Sequence, residues 1–125
     1  MYRVGVMRNF IAQHYLIGGD WGAENQPHSH PYRLELELWG RVLNQHHYLV
    51  DIVAIEHALD GLIGNYRDRL LNDLPEFAGV NPSLEHFARV LCESLARQFL
   101  GGTVERIVVK LWENEMAWAG YEVVR

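Results

Sequence analysis

Cysteine is almost missing from this 125-residue chain, which has only Cys92. One thiol excludes an internal disulfide and any zinc site built on cysteines, and it suits a reducing, cytoplasmic setting. Positive charge is also short. Eleven Lys and Arg stand against sixteen Asp and Glu, for a formal net charge of −5. That balance excludes a general phosphate-backbone binder, so no nucleic-acid partner is expected. Any anionic ligand must be held by a few local cations. No stretch reaches the length of a transmembrane helix, and "MYRVGVMRNF" has no cleavage-site pattern, so neither a membrane partner nor a signal peptide is expected. Repeats and low-complexity segments are absent. What remains is a globular composition, 49% hydrophobic and 22% charged, long enough for a single domain over residues 1–125 with a real core.

The patterns within it predict both elements and topology. Residues 2–15 alternate, with Tyr2, Val4, Val6, Phe10, Ala12 and His14 on one face. "LIGGDWGAENQP" is a loop. Residues 28–40 alternate again, Tyr32, Leu34, Leu36 and Leu38 against Arg33, Glu35 and Glu37. "HHYLVDIV" reads as a third strand or strand end. Asp51 then caps a helix over 54–64, and Pro82 and Ser83 open a second, which Gly101 and Gly102 stop. Between the helices, "NDLPEFAGVNPS" is a loop. "TVERIVVKLWEN" and "MAWAGYEVV" close the chain as two strands, with a turn near Asn114. Such an order indicates an α+β fold: a four-stranded antiparallel sheet with two helices on one face. Its two long edges call for pairing with another subunit.

Three histidines fall on the inward rows. In a hairpin of the first two strands, His14 lies beside His28 and His30, which share a face because they are two residues apart. Three neutral imidazoles with one open position are the ligand set of a catalytic zinc site. Their convergence makes a metal site the better reading than three separately satisfied core histidines. His46, His47, His57 and His86 take surface or boundary positions, and Cys92 is a small core residue.

"FIAQHYL", "HSHPYRLEL", "LVDI", "LNDLPEF", "NPSLEHFA" and "LWENEMAWAGYE" together resemble the 6-pyruvoyl- and 6-carboxy-tetrahydropterin synthases, in order and over nearly the whole chain. The resemblance implies the tunnelling fold, in which sheets join edge to edge into a trimer and two trimers stack as a hexamer. It also implies active sites between subunits, one Zn2+ bound by His14, His28 and His30, and Glu113 as the pterin anchor. One carboxylate can accept both the ring N–H and the exocyclic amine of a pterin. The implied substrate is dihydroneopterin triphosphate, which loses triphosphate as its side chain is rearranged or cleaved.

Two positions depart from the family pattern. Where members carry a catalytic cysteine, four residues before the paired histidines, this chain has Glu24. Some members of the wider family carry Glu near this place and resemble aldolase-like variants that release 6-hydroxymethyl-dihydropterin. In place of the family's Asp-His pair stand Arg67 and Asp68, or Asp68 and Arg69 if the register slips by one. A guanidinium stays protonated and cannot relay protons as histidine does, but it can bind an anion or orient Asp68. The leading reading is a zinc-dependent pterin lyase, with Glu24 moving protons and Asp68 in support. An aldolase-like variant, a non-catalytic pterin- or purine-binding homologue, and an enzyme whose Arg67 or Arg69 meets a new anionic group are the alternatives.

Overall fold

Alternation builds the sheet. In the computed structural model, which describes all 125 residues, β1 (Tyr2–His14) pairs antiparallel with β2 (His28–Gly40), from Tyr2 opposite Gly40 to His14 opposite His28. β3 (Arg106–Trp112) and β4 (Trp118–Val124) extend it in the order β1-β2-β3-β4. Every second residue of β2 from Tyr32 to Leu38 is buried, and Ile107, Val109 and Leu111 continue that face on β3.

α1 (Ile52–Ile63) lies along β1, and α2 (Leu84–Phe99) covers β3 and β4. Both start on capping side chains. The Asp51 carboxylate accepts from the Val53 N–H at 3.0 Å, and the Ser83 hydroxyl accepts from the His86 N–H at 3.1 Å. Phe87 of α2 seats the helix on the sheet, its ring 6.0 Å from Phe10, 5.4 Å from Tyr32, 5.2 Å from Tyr66 and 5.6 Å from Phe77, mostly edge to face. Cys92 is buried, and burial pushes its thiol up to about 11, an inert core residue as expected. Arg8 also faces inward, where its guanidinium donates to Asp60 at 2.7 Å and Glu56 at 2.9 Å on α1. No helix is long and apolar enough to cross a membrane.

Two expectations need correction. "HHYLVDIV" is not a strand. The Asn44 carboxamide oxygen accepts from the N–H groups of His46 at 2.8 Å and Tyr48 at 3.1 Å, and His47 takes a φ of 68°. This local side-chain turn overrides the apolar run, and α1 begins at Ile52 rather than 54. Nor is the free edge of β1 wholly bare. The Asp68 N–H donates to the Ile11 carbonyl at 2.7 Å, and the Gln13 N–H donates to the Arg69 carbonyl at 2.9 Å. The "NDLPEFAGVNPS" loop then continues past this edge through two 3-10 turns, Leu71–Asp73 and Pro75–Phe77.

Candidate metal centre

The hairpin register brings the three histidines together. His14, the last residue of β1, stands opposite His28, and Ala12 stands opposite His30. The ring centroids lie 4.6 Å (His14–His28), 4.6 Å (His14–His30) and 4.9 Å (His28–His30) apart. One nitrogen from each ring lies within 4.8 Å of the other two.

The hydrogen bonds around the rings say what they can bind. His28 Nδ1 is 2.8 Å from the Gln26 carbonyl oxygen. A carbonyl only accepts, so Nδ1 carries the proton and Nε2 is left with a free lone pair. That Nε2 is buried and has no hydrogen-bond partner. A buried acceptor without a partner is costly, and a cation among the three rings would satisfy it. His14 is 7% exposed, and its Nδ1 meets the Tyr32 hydroxyl at 3.2 Å.

Electrostatics agree with a metal site. Burial, followed by the neighbouring His30 and His28, pushes His14 down to about 4. His30 is lowered by burial and then by His28, while the charges of Glu113 and Glu24 pull it back up. Neutral imidazole at pH 7 is the form that binds a metal. Together with the unpartnered Nε2 of His28, these two rings make a donor set that fits zinc.

Two carboxylates act on His30 through their charge. Glu24 sits exposed on the 3-10 turn Gly22–Asn25, and its backbone carbonyl accepts the Leu16 N–H at 2.9 Å. Glu113 is half-buried just past β3 and also acts on Tyr32, whose phenol burial raises well above its ordinary range. Asn114 holds the following turn, its side-chain oxygen accepting from Met116 at 2.8 Å and Ala117 at 3.0 Å. Tyr32 is the neighbour that sequence reasoning missed. It was readable only as an inward residue, although its place two residues after His30 on the same row puts its hydroxyl within reach of His14.

Arg67 and Asp68 are both exposed at the β1 edge, where they border a cleft of about 500 Å³ with Phe10 and with Tyr32, the neighbour of His14. Asp68 takes a φ of 58°, and the charge of Arg67 acts on Asp60. Arg69 contributes its backbone carbonyl to the edge. A second concavity of about 470 Å³, lined by His46, Tyr48, Asp51 and Ile52 among others, includes none of His14, His28, His30, Glu24 or Glu113.

Residues 3–123 match the family described as 6-pyruvoyl tetrahydropterin synthase. The chain belongs to that family. Its structure is similar to that of the Caenorhabditis elegans 6-pyruvoyl tetrahydropterin synthase, with a TM-score of 0.82 at 18% identity over 98% of this chain and 95% of that one. The Plasmodium vivax 6-pyruvoyltetrahydropterin synthase, in a form mutated at a catalytic glutamate, gives 0.79 at 14% identity over the whole of both chains. A putative dihydroneopterin aldolase from Vibrio cholerae gives 0.60 at 18% identity, over 100% of this chain and 98% of that one. A search of curated protein sequences finds no match. At these identities the likeness is one of fold: the four-stranded antiparallel sheet with two helices is the tunnelling fold of the 6-pyruvoyl tetrahydropterin synthase family.

Proposed function

We propose that this family member is a zinc-dependent pterin lyase acting on dihydroneopterin triphosphate or a related dihydropterin. The observation that carries the reading is the meeting of three imidazoles, one with a buried, unpartnered nitrogen, where the charges of two carboxylates act on His30. His14, His28 and His30 would hold the ion, which when bound acts as a Lewis acid that makes side-chain hydroxyls more acidic.

The chain's own residues do the rest. Glu113 accepts the ring N–H and exocyclic amine of the pterin and sets its orientation. Glu24 moves the proton between carbon and oxygen, the task of cysteine in typical members. A glutamate is a catalytic residue of the Plasmodium vivax synthase, which supports a carboxylate in this role. Arg67 and Asp68, at the β1 edge, would serve as anion contact and supporting acid across a subunit junction, in a trimer or hexamer assembled through sheet edges.

One observation favours a second reading. A carboxylate at position 24, together with the fold shared with the putative aldolase, suits an aldolase-like cleavage that gives 6-hydroxymethyl-dihydropterin. The deciding experiment incubates zinc-loaded protein with dihydroneopterin triphosphate and with dihydroneopterin, with and without acetaldehyde trapping. Chromatography of the pterins then separates the outcomes. A product from either substrate, lost in Glu24→Gln, supports lyase function. Pterin binding with no turnover of either one overturns it in favour of a binding protein.

A further inference from the structure

The backbone of β1 does not fall silent at His14. Tyr15, Leu16 and Ile17 run on without a partner strand, yet all of their backbone N–H and C=O groups are hydrogen-bonded. The Tyr15 N–H donates to Asn72 Oδ1 at 2.9 Å, and Asn72 Nδ2 donates back to the Tyr15 carbonyl at 3.0 Å. Ile17 has the same two-way exchange with Asn81, at 2.7 and 3.2 Å. Leu16 faces the other way: its N–H donates to the Glu24 carbonyl at 2.9 Å, and its carbonyl accepts from Asn25 Nδ2 at 3.0 Å.

A carboxamide carries a donor and an acceptor side by side, as a peptide group does, so it can stand in for one rung of a β-ladder. Asn72 and Asn81 each do so along the outer edge, continuing the row begun by Asp68 and Arg69 against Ile11 and Gln13. Asn25 closes the inner side. It also donates to the Gly19 carbonyl at 3.1 Å, and its Oδ1 accepts from the Trp21 N–H at 2.8 Å, so the whole 16–25 loop folds around its side chain. Aspartate would lose the donor half of each pair, and serine has only one oxygen to offer.

This segment joins the two halves of the candidate site. His14 stands at its start, and Glu24 is hydrogen-bonded to its middle residue. We propose that Asn25, Asn72 and Asn81 are positioning residues: Asn72 and Asn81 hold the strand end that carries His14, and Asn25 holds Glu24 at a set distance from it. The inference rests on the metal-site reading above. It assigns a role to the asparagines of "LNDLPEF" and "NPSLEHFA" that touches neither metal nor substrate.

The test uses the full chain. Zinc affinity is read by competition with a chromophoric chelator, and ligand geometry by the visible spectrum of the Co2+-loaded protein. In Asn72→Ala the zinc dissociation constant rises about tenfold, the usual effect of losing a ligand's supporting hydrogen bonds, and the cobalt bands shift. If that variant does not fold, Asn72→Asp keeps the acceptor for Tyr15 and shows a smaller change in the same direction. Asn25→Ala keeps wild-type zinc affinity and cobalt spectrum, its kcat falls about tenfold with KM unchanged, and exchange of the Leu16 amide accelerates.

A folded Asn72 variant with unaltered zinc affinity and cobalt spectrum overturns the inference, as does Asn25→Ala with wild-type kcat. Should the wild type turn over neither pterin, the lyase reading fails. The zinc, cobalt and amide-exchange measurements still decide the role of the asparagines.

Discussion

A histidine that is buried and neutral carries a signature that any acid titration can read. His14 is held at about 4, against an ordinary value near 6.5. Between those two values the unfolded chain binds more protons than the folded one, so stability rises with pH in that window. Metal-free protein should therefore lose stability as the pH falls from about 6.5 to about 4, by an amount on the order of 3 kcal/mol for His14, and show no change from this group above 6.5. Urea unfolding of chelator-treated protein across that range checks it, and a flat midpoint would contradict the burial argument. Glu113 allows a sharper prediction. If Glu113 anchors the pterin as proposed, Glu113→Gln turns one acceptor oxygen into a donor facing the pterin's own donors. The lost charge-assisted hydrogen bonds cost about 1.5–3 kcal/mol, a ten- to hundredfold weaker pterin binding by fluorescence titration. Because that contact is made alike in ground and transition states, KM should rise more than kcat falls.

At the scale of elements, the local patterns carried most of the argument. β1 and β2 were legible because their alternation runs over a dozen residues, and both helices because Asp51 and Ser83 mark their starts. Residues 46–53 misled because they are apolar enough for a strand, while the deciding signal was one asparagine, Asn44, turning the backbone through its side chain. Gly40 shows another constraint that no pattern announces. A methyl there would overlap the Thr103 carbonyl oxygen and press on Leu49. Gly40→Ala should cost about 1–3 kcal/mol by overpacking, seen as a lower urea midpoint. Phe87 holds α2 to the sheet through four aromatic neighbours, and Phe87→Ala should cost about 3–5 kcal/mol.

The whole molecule is defined by its unfinished edges. Residues 2–10 of β1 and all of β4 carry no further strand, while the far half of β1 is closed by the chain itself. The face of the sheet turned away from the helices is studded with cation–aromatic stacks: Arg3 and Arg106 on Trp39, Arg33 on Trp112, and Lys110 on Trp118. Exposed strand edges of this kind seek partners. Light scattering should accordingly find a trimer or hexamer. Ile11 and Gln13 point their backbone groups outward, so by the alternation of the strand Met7 does too. Met7→Pro removes an edge donor without touching the pairing to β2, and it should shift the assembly towards monomer. A wild type that is monomeric at micromolar concentration would rule out assembly through these edges.

By itself the sequence determined the sheet, the helices and which rows face inward, because periodicity and capping are local properties written in neighbouring residues. It also determined that His14, His28 and His30 share one end of a hairpin, since direct pairing of consecutive strands leaves few other registers. Only the tertiary structure decided that His28 Nε2 is orphaned, that Tyr32 touches His14, and that Asn25, Asn72 and Asn81 bond the backbone that follows His14. Those facts depend on contacts between residues as far apart as Ile17 and Asn81, where hydrogen-bond geometry is set by how the layers pack and leaves no period in the chain.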